Sequence, residues 1–201
     1  MKRTYLLFLL ISTLSLAHAQ EKQKLYVFVG EKINIERFNA NKKEEVSPGV
    51  FKVTISMDNA FRARYKVLEN VYGNYVGDTI EFEVYEHYGE PPFASYENVL
   101  LFVSEHNGKL YHEKYQYFDV YRTKDGDWAS PGYPCRFEPE MHRKKITFQQ
   151  VEFKQPVMLE KVIGRKNYKT VVLEGTEVKD LFEIKKQGVL KARGLFQKSC
   201  S

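Results

Sequence analysis

Four histidines carry the chemistry that titrates near neutral pH in the chain beyond its first twenty residues: His87, His106, His112 and His142. An imidazole beside a carboxylate is a common device for moving a proton, and three such neighbours occur, Glu86-His87, Glu105-His106 and His112-Glu113. Mid-strand neighbours point to opposite faces of a sheet, so His112 and Glu113 do not converge on one metal or substrate. His87 and His112 come together only if their strands pair, as a two-histidine site or, with Glu86, as the acid and base of an enzyme lacking a motif. Cys135 and His142 offer a nucleophile and a base, a reading that competes with a disulfide at Cys135. The sequence contains no His-Glu-x-x-His, Cys-x-x-Cys, Gly-x-Ser-x-Gly or nucleotide-type glycine loop. No catalytic residue, metal site or cofactor is therefore assigned.

Recognition chemistry is denser. Tyr85-Glu86-His87-Tyr88-Gly89-Glu90-Pro91-Pro92-Phe93 gathers aromatic rings, an imidazole and two carboxylates into one loop. Its Pro pair stiffens the backbone, and an ordered loop loses little entropy when it binds. Tyr85, Glu86, His87 and Tyr88 are thus candidate ligand-binding residues, and Trp128 in Asp125-Gly126-Asp127-Trp128 is a fifth. The competing role for all five is structural: a corner loop whose tyrosines cover the core, and a tryptophan that caps it. Alternation also places Tyr111, Tyr115, Tyr117 and Tyr121 on one strand face with Glu113 and Asp119, a stripe suited to stacking sugars or bases. Nucleic acid is excluded on electrostatic grounds, because residues 20–140 hold 15 basic against 20 acidic side chains and phosphate binding needs cations beside the rings.

The elements that must position these residues are mostly strands. In Phe61-Arg62-Ala63-Arg64-Tyr65-Lys66-Val67 the odd positions are apolar and the even ones cationic; in Thr79-Ile80-Glu81-Phe82-Glu83-Val84-Tyr85 the apolar set is Ile80, Phe82 and Val84. Both are half-buried strand patterns, and pairing them sets cations against carboxylates, with residues 71–78 as the hairpin connection. Val99-Leu100-Leu101-Phe102-Val103 is continuously apolar, which predicts burial on both faces, and Asn107-Gly108 predicts a tight hairpin turn after it. Residues 25–30, 32–38, 50–56, 96–104, 109–121, 146–153, 157–163 and 169–173 read as further strands, and 39–49 as a polar loop. After Gly175 the spacing of Val178, Leu181 and Phe182 predicts one helix, with Thr176 as N-cap and Lys185-Lys186 near its C-terminal end before Gly188.

At the N-terminus, Met1-Lys2-Arg3-Thr4, the apolar run from Tyr5 to Leu16 and Ala17-His18-Ala19 have the order of an export signal cleaved after Ala19. That run is shorter than the ~20 residues a spanning helix needs. A periplasmic or secreted protein, with no transmembrane segment after cleavage, is the expectation. Of 201 residues only two are Cys, Cys135 and Cys200; in an oxidising compartment they form one disulfide, unless Cys200, next to the terminus, stays frayed and unpaired. Residues 141–201 hold 14 basic and six acidic side chains, a face that either complements the acidic part of the chain or meets an anionic surface.

The succession of Val27-Phe28-Val29-Gly30, the strand from Phe61 to Leu68 with Val71-Tyr72-Gly73, the strand from Asp78 to Val84, Val99-Leu100-Leu101-Phe102-Val103, the Gly108 turn and the strand to Tyr121 resembles that of netrin-like and tissue-inhibitor-of-metalloproteinase-like OB barrels. The resemblance covers about half the chain. It implies a five-stranded Greek-key barrel over residues 20–130, followed by a basic C-terminal extension, 131–201, of strands and one helix. No Cys-x-Cys follows Ala19, so inhibition of zinc proteases is not implied. The functional expectation is an exported, non-enzymatic binding module for a protein or cell-envelope component.

Overall fold

The computed structural model describes residues 24–131, 149–160 and 167–196. In chain order the strands are β1 (Lys24–Phe38), β2 (Lys42–Ser47), β3 (Val50–Thr54), β4 (Asn59–Tyr72), β5 (Thr79–Glu86), β6 (Asn98–His106), β7 (Lys109–Asp119), β8 (Tyr121–Arg122), β9 (Trp128–Pro131), β10 (Gln149–Glu160) and β11 (Asn167–Glu177). Helix α1 (Val178–Gln187) follows, and a single turn, α2 (Val189–Ala192), continues beyond Gly188. The protein is mainly β, as its alternation predicts. A closed barrel has the order β1-β4-β5-β7-β6; β10-β11-β9-β8 form a second sheet and β2-β3 a separate two-stranded ribbon. Around the barrel all pairs are antiparallel except β5–β7.

The barrel interior follows from parity. Phe61, Ala63 and Tyr65 of β4 face Ile80, Phe82 and Val84 of β5, all buried. On the outside Arg62 lies opposite Glu83 and Arg64 opposite Glu81, the cation-against-carboxylate arrangement expected of the pair. Arg62 Nε approaches Glu81 Oε1 diagonally at 3.4 Å, a half-exposed contact worth a few tenths of a kcal/mol at most. Strand β6 is buried on both faces. Val99, Leu101 and Val103 fill the barrel; Leu100 and Phe102 point outward under Leu181 and Phe182 of α1, in a second core shared with Val27, Val29 and Trp128. The continuous apolar run is thus two alternating sets, each with its own cover. The turn between β6 and β7 has Asn107 at φ +50° and Gly108 at φ +73°, the left-handed pair that matches strand twist in a two-residue hairpin.

Three local expectations are corrected. Residues 42–47, read as polar loop, form β2 and pair with β3. A ribbon exposed on both faces needs no apolar side on each strand, so Lys42, Lys43, Glu44 and Glu45 hide the strand from a periodicity reading. Thr176 is not the helix N-cap: it is still in β11, paired with Ser130 of β9, and Glu177 occupies the cap without a side-chain hydrogen bond. The tyrosine stripe is broken. Leu101 faces Tyr117 but Val103 faces His112, so β7 carries three more residues than β6 there. That odd insertion turns Tyr117 inward, against Phe93, while Tyr111 lies outside against Tyr85.

Candidate functional site

The connections 39–58 and 87–97 leave the same end of the barrel, because Phe38 of β1 pairs with Ala60 and Asn59 pairs with Glu86 at the end of β5. At the base of the first connection lies a cleft of about 430 Å³ lined by Arg37, Asn39, Asn41, Ser56, Asp58 and Asn59 among others. A smaller cleft of about 200 Å³, reaching Gly89, Glu90 and Ala94, shares Arg37 and Asn59 with it. The lining is ordered by its own hydrogen bonds. Arg37 Nη2 donates to Asn59 Oδ1 at 2.5 Å, Asn39 Oδ1 accepts from Asn41 N at 3.0 Å, and Asn41 Oδ1 accepts from Ser56 N at 2.9 Å. Short amide side chains that bind nearby backbone are what such turns select.

Asp58 is the hub. Its Oδ2 accepts from Lys114 Nζ at 2.8 Å, and its Oδ1 lies 3.2 Å from His87 Nδ1, which donates when that nitrogen carries the proton. The Lys114 hydrogen bond, and secondarily that of His87, holds the Asp58 carboxyl below the usual carboxylate range, and the same contact raises the Lys114 ammonium. Lys114 reaches Asp58 from the three-residue excess in β7, where Tyr115 sits at φ +67°, an unfavourable backbone for an aromatic residue. Bulges commonly re-aim a side chain in this way. The C-terminal extension secures it: Arg193 Nη1 donates to Glu113 Oε2 at 2.6 Å and Nη2 to the Lys114 carbonyl at 2.8 Å.

The five sequence-derived candidates are dispersed. His87 and Tyr88 stay together, their rings edge to face at 4.8 Å, and Tyr88, 88% exposed, directly precedes Gly89 of the smaller cleft. Tyr85 lies on the outer wall, its hydroxyl donating to Glu83 Oε2 at 2.7 Å; partial burial, then Glu83, pushes the phenol up to about 12. Glu86 turns inward and is buried, burial raising its carboxyl while Lys114 opposes the shift. Trp128 packs in the helix-side core with the Arg122 guanidinium 4.1 Å over its ring. His112 also faces the barrel interior, ringed by Phe82 and Phe93. Its Nε2–H donates to the Gln116 carbonyl at 2.9 Å, and burial pushes its pKa down to about 4. His87 therefore does not meet His112, and the trio of His87, Glu86 and His112 does not share a surface.

Asp58, Lys114 and the Arg37 and asparagine lining escape a sequence reading. The Asn39-Ala40-Asn41 and Asp58-Asn59 groups flanking β2 and β3 signal turns, and nothing local announces that Lys114, 56 residues after Asp58, comes to them. Cys135, Cys200, His142 and the export signal lie outside the described residues. Among the described residues no group of three or more His, Cys, Asp or Glu side chains is placed to hold a metal, and no helix is long and apolar enough to cross a membrane. No protein-family model, no curated protein and no solved structure matches this chain.

Proposed function

We propose that the chain is an exported, non-enzymatic binding module on an OB-like barrel, and that the cleft at the base of connection 39–58, with the smaller cleft that joins it to connection 87–97, recognises a protein or cell-envelope component. The observation that carries this reading is the cleft itself: a guanidinium and three asparagine amides ordered by hydrogen bonds within the lining, a Ser56 hydroxyl bonded to the Asp58 carbonyl and an Asp58 carboxylate held by Lys114 and His87. Such a wall offers donors and acceptors to a polar ligand without paying to order them. The OB-like assignment rests on the β1-β4-β5-β7-β6 order with its one parallel contact, and on the position of the cleft beside the connection between the first and second barrel strands, a loop that OB folds use for ligands. A non-enzymatic reading is favoured because the acid and base candidates part company: His112 is sealed in the core, Glu86 points inward and His87 is held by Asp58. Among the described cations of the extension, Arg193 is engaged by Glu113, Lys186 by Glu183 and Lys185 is buried over the Phe118 ring, while Lys154 and Lys179 are exposed; an anionic surface is the alternative partner.

The test is capture of envelope proteins and glycans by the immobilised chain, compared with Arg37→Glu and Tyr88→Ala variants of unchanged melting temperature. Retention lost in both supports the cleft as the site. Turnover of a generic ester, peptide or glycan substrate, abolished by His87→Ala, would overturn the reading in favour of an enzyme.

A further inference from the structure

The β2–β3 ribbon stands apart from both cores. Every residue from Asn41 to Ile55 is exposed, yet within β3 Phe51 and Val53 share one side, continued by Ile55 just past the strand, against Val50, Lys52 and Thr54 on the other, and Phe51, Val53 and Ile55 are 48, 58 and 68% exposed. Cross-strand register places Lys43 beside Val53 and Glu45 beside Phe51, so the apolar side of β3 is bordered on β2 by one cation and one anion. Lys43 Nζ lies 4.0 Å over the Phe51 ring, which confirms the shared face. A lone two-stranded ribbon is marginal in water, and an apolar sheet face calls for cover.

We propose that the cover is a second copy of this chain, its ribbon stacked face to face on the first about a two-fold axis through the Glu44–Lys52 pair. The charge pattern selects both the occupant and the axis. With the axis across the strands, β2 lies antiparallel over its counterpart, setting Lys43 over the partner subunit's Glu45 and Glu45 over the partner subunit's Lys43. On β3 the same operation sets Phe51 over the partner subunit's Val53 and Val53 over the partner subunit's Phe51. Both sides are self-complementary, as an isologous interface requires. An axis along the strands instead buries Lys43 and Glu45 against apolar side chains. Edge-to-edge antiparallel pairing of β2 with itself can also set Lys43 opposite the partner subunit's Glu45, but it then opposes Glu44 to the partner subunit's Glu44 and leaves Phe51 and Val53 uncovered. The stacked area is small beside the ~1,200 Å² of a stable interface, so association is weak and concentration-dependent, in the micromolar range or above.

Sedimentation of the purified chain across that range tests it. The expected result is a monomer–dimer equilibrium that Phe51→Asp abolishes and Lys43→Glu weakens about tenfold or more through like-charge contact, both variants keeping the melting temperature of the parent. An equimolar mixture of Lys43→Glu and Glu45→Lys chains, each poor at self-association, restores a dimer because every stacked pair is again opposite in sign. A chain that stays monomeric throughout, or a dimer indifferent to Phe51→Asp, overturns the ribbon as the interface. A dimer lost in Phe51→Asp but unaffected by the charge exchange overturns the proposed two-fold.

Discussion

Strands β3 and β4 are written in the same pattern and meet opposite fates. Phe51-Lys52-Val53-Thr54-Ile55 and Phe61-Arg62-Ala63-Arg64-Tyr65 both alternate apolar with polar, yet Phe61, Ala63 and Tyr65 are buried at 5, 0 and 0% exposure while their counterparts lie in solvent. The difference is in what surrounds them. β4 sits between β1 and β5 in a closed barrel, so its inner face meets Phe82, Phe93 and Val99; among the described residues β3 pairs with β2 alone, and β2 brings lysines and glutamates. Alternation therefore states that a strand has two unlike faces. Whether the apolar face is covered depends on closure, a property of distant residues.

The sharpest way to stress this contrast is a cavity on each side. Phe102, fully buried between β6 and α1, should cost about 3–5 kcal/mol of unfolding free energy when cut to Ala, whereas Val53→Ala in the ribbon should stay within about 0.5 kcal/mol. Denaturant titration of dilute protein reads both, and comparable losses would show that the ribbon is packed.

Protonation of the barrel interior gives the next largest effect. The His112 imidazole is held down to about 4 against an ordinary value of 6.5, burial being the main cause. Between those values the unfolded chain binds the extra proton, so the stability His112 confers is complete above pH 6.5 and falls as the pH drops towards 4, by about 3 kcal/mol if the whole shift is expressed. His112→Gln should flatten that part of the pH profile. A profile equally steep in the variant would move the titration to other groups.

Much of this architecture can be read from the sequence, for reasons that sit in particular residues. The β4–β5 hairpin is legible because Arg62, Arg64, Glu81 and Glu83 mark the outer faces, the double burial of β6 because Leu100 and Phe102 interrupt no apolar run, and α1 because Val178, Leu181 and Phe182 keep helical spacing. The candidate site is legible only at His87 and Tyr88. What places Asp58 and Lys114 beside them is the excess in β7, which occurs at Glu113-Lys114-Tyr115-Gln116 without a Gly or Asn to announce a left-handed residue. The parallel β5–β7 contact and the β1–β6 closure likewise join segments that no local pattern connects.

Arg193 tests how far the two regions depend on that excess. Its guanidinium binds Glu113, whose side chain is only 11% exposed, and the Lys114 carbonyl, and Arg193→Ala should cost about 1–2 kcal/mol by leaving a nearly buried carboxylate unpaired. It should also free Lys114 from Asp58, seen as a rise in the Asp58 carboxyl pKa by NMR titration. An unchanged Asp58 would mean that the β7 backbone holds Lys114 without help from the extension.

The smallest effect is the most direct reading of the ribbon. Phe51→Ser removes a half-exposed ring and its contact with Lys43, and in dilute protein should shift the barrel's unfolding free energy by less than about 0.5 kcal/mol. Amide exchange should be more telling than melting. If β2 and β3 open independently of the barrel, their amides exchange with little protection while those of β4 and β6 report global unfolding. Raising the protein concentration should slow exchange in the ribbon of the parent chain and leave it fast in Phe51→Ser, because a face covered only by association gains its protection from a second molecule. Ribbon amides as protected as those of β4 at every dilution would mean that cover for Phe51, Val53 and Ile55 comes from within the chain, and the contrast between the two strands would disappear.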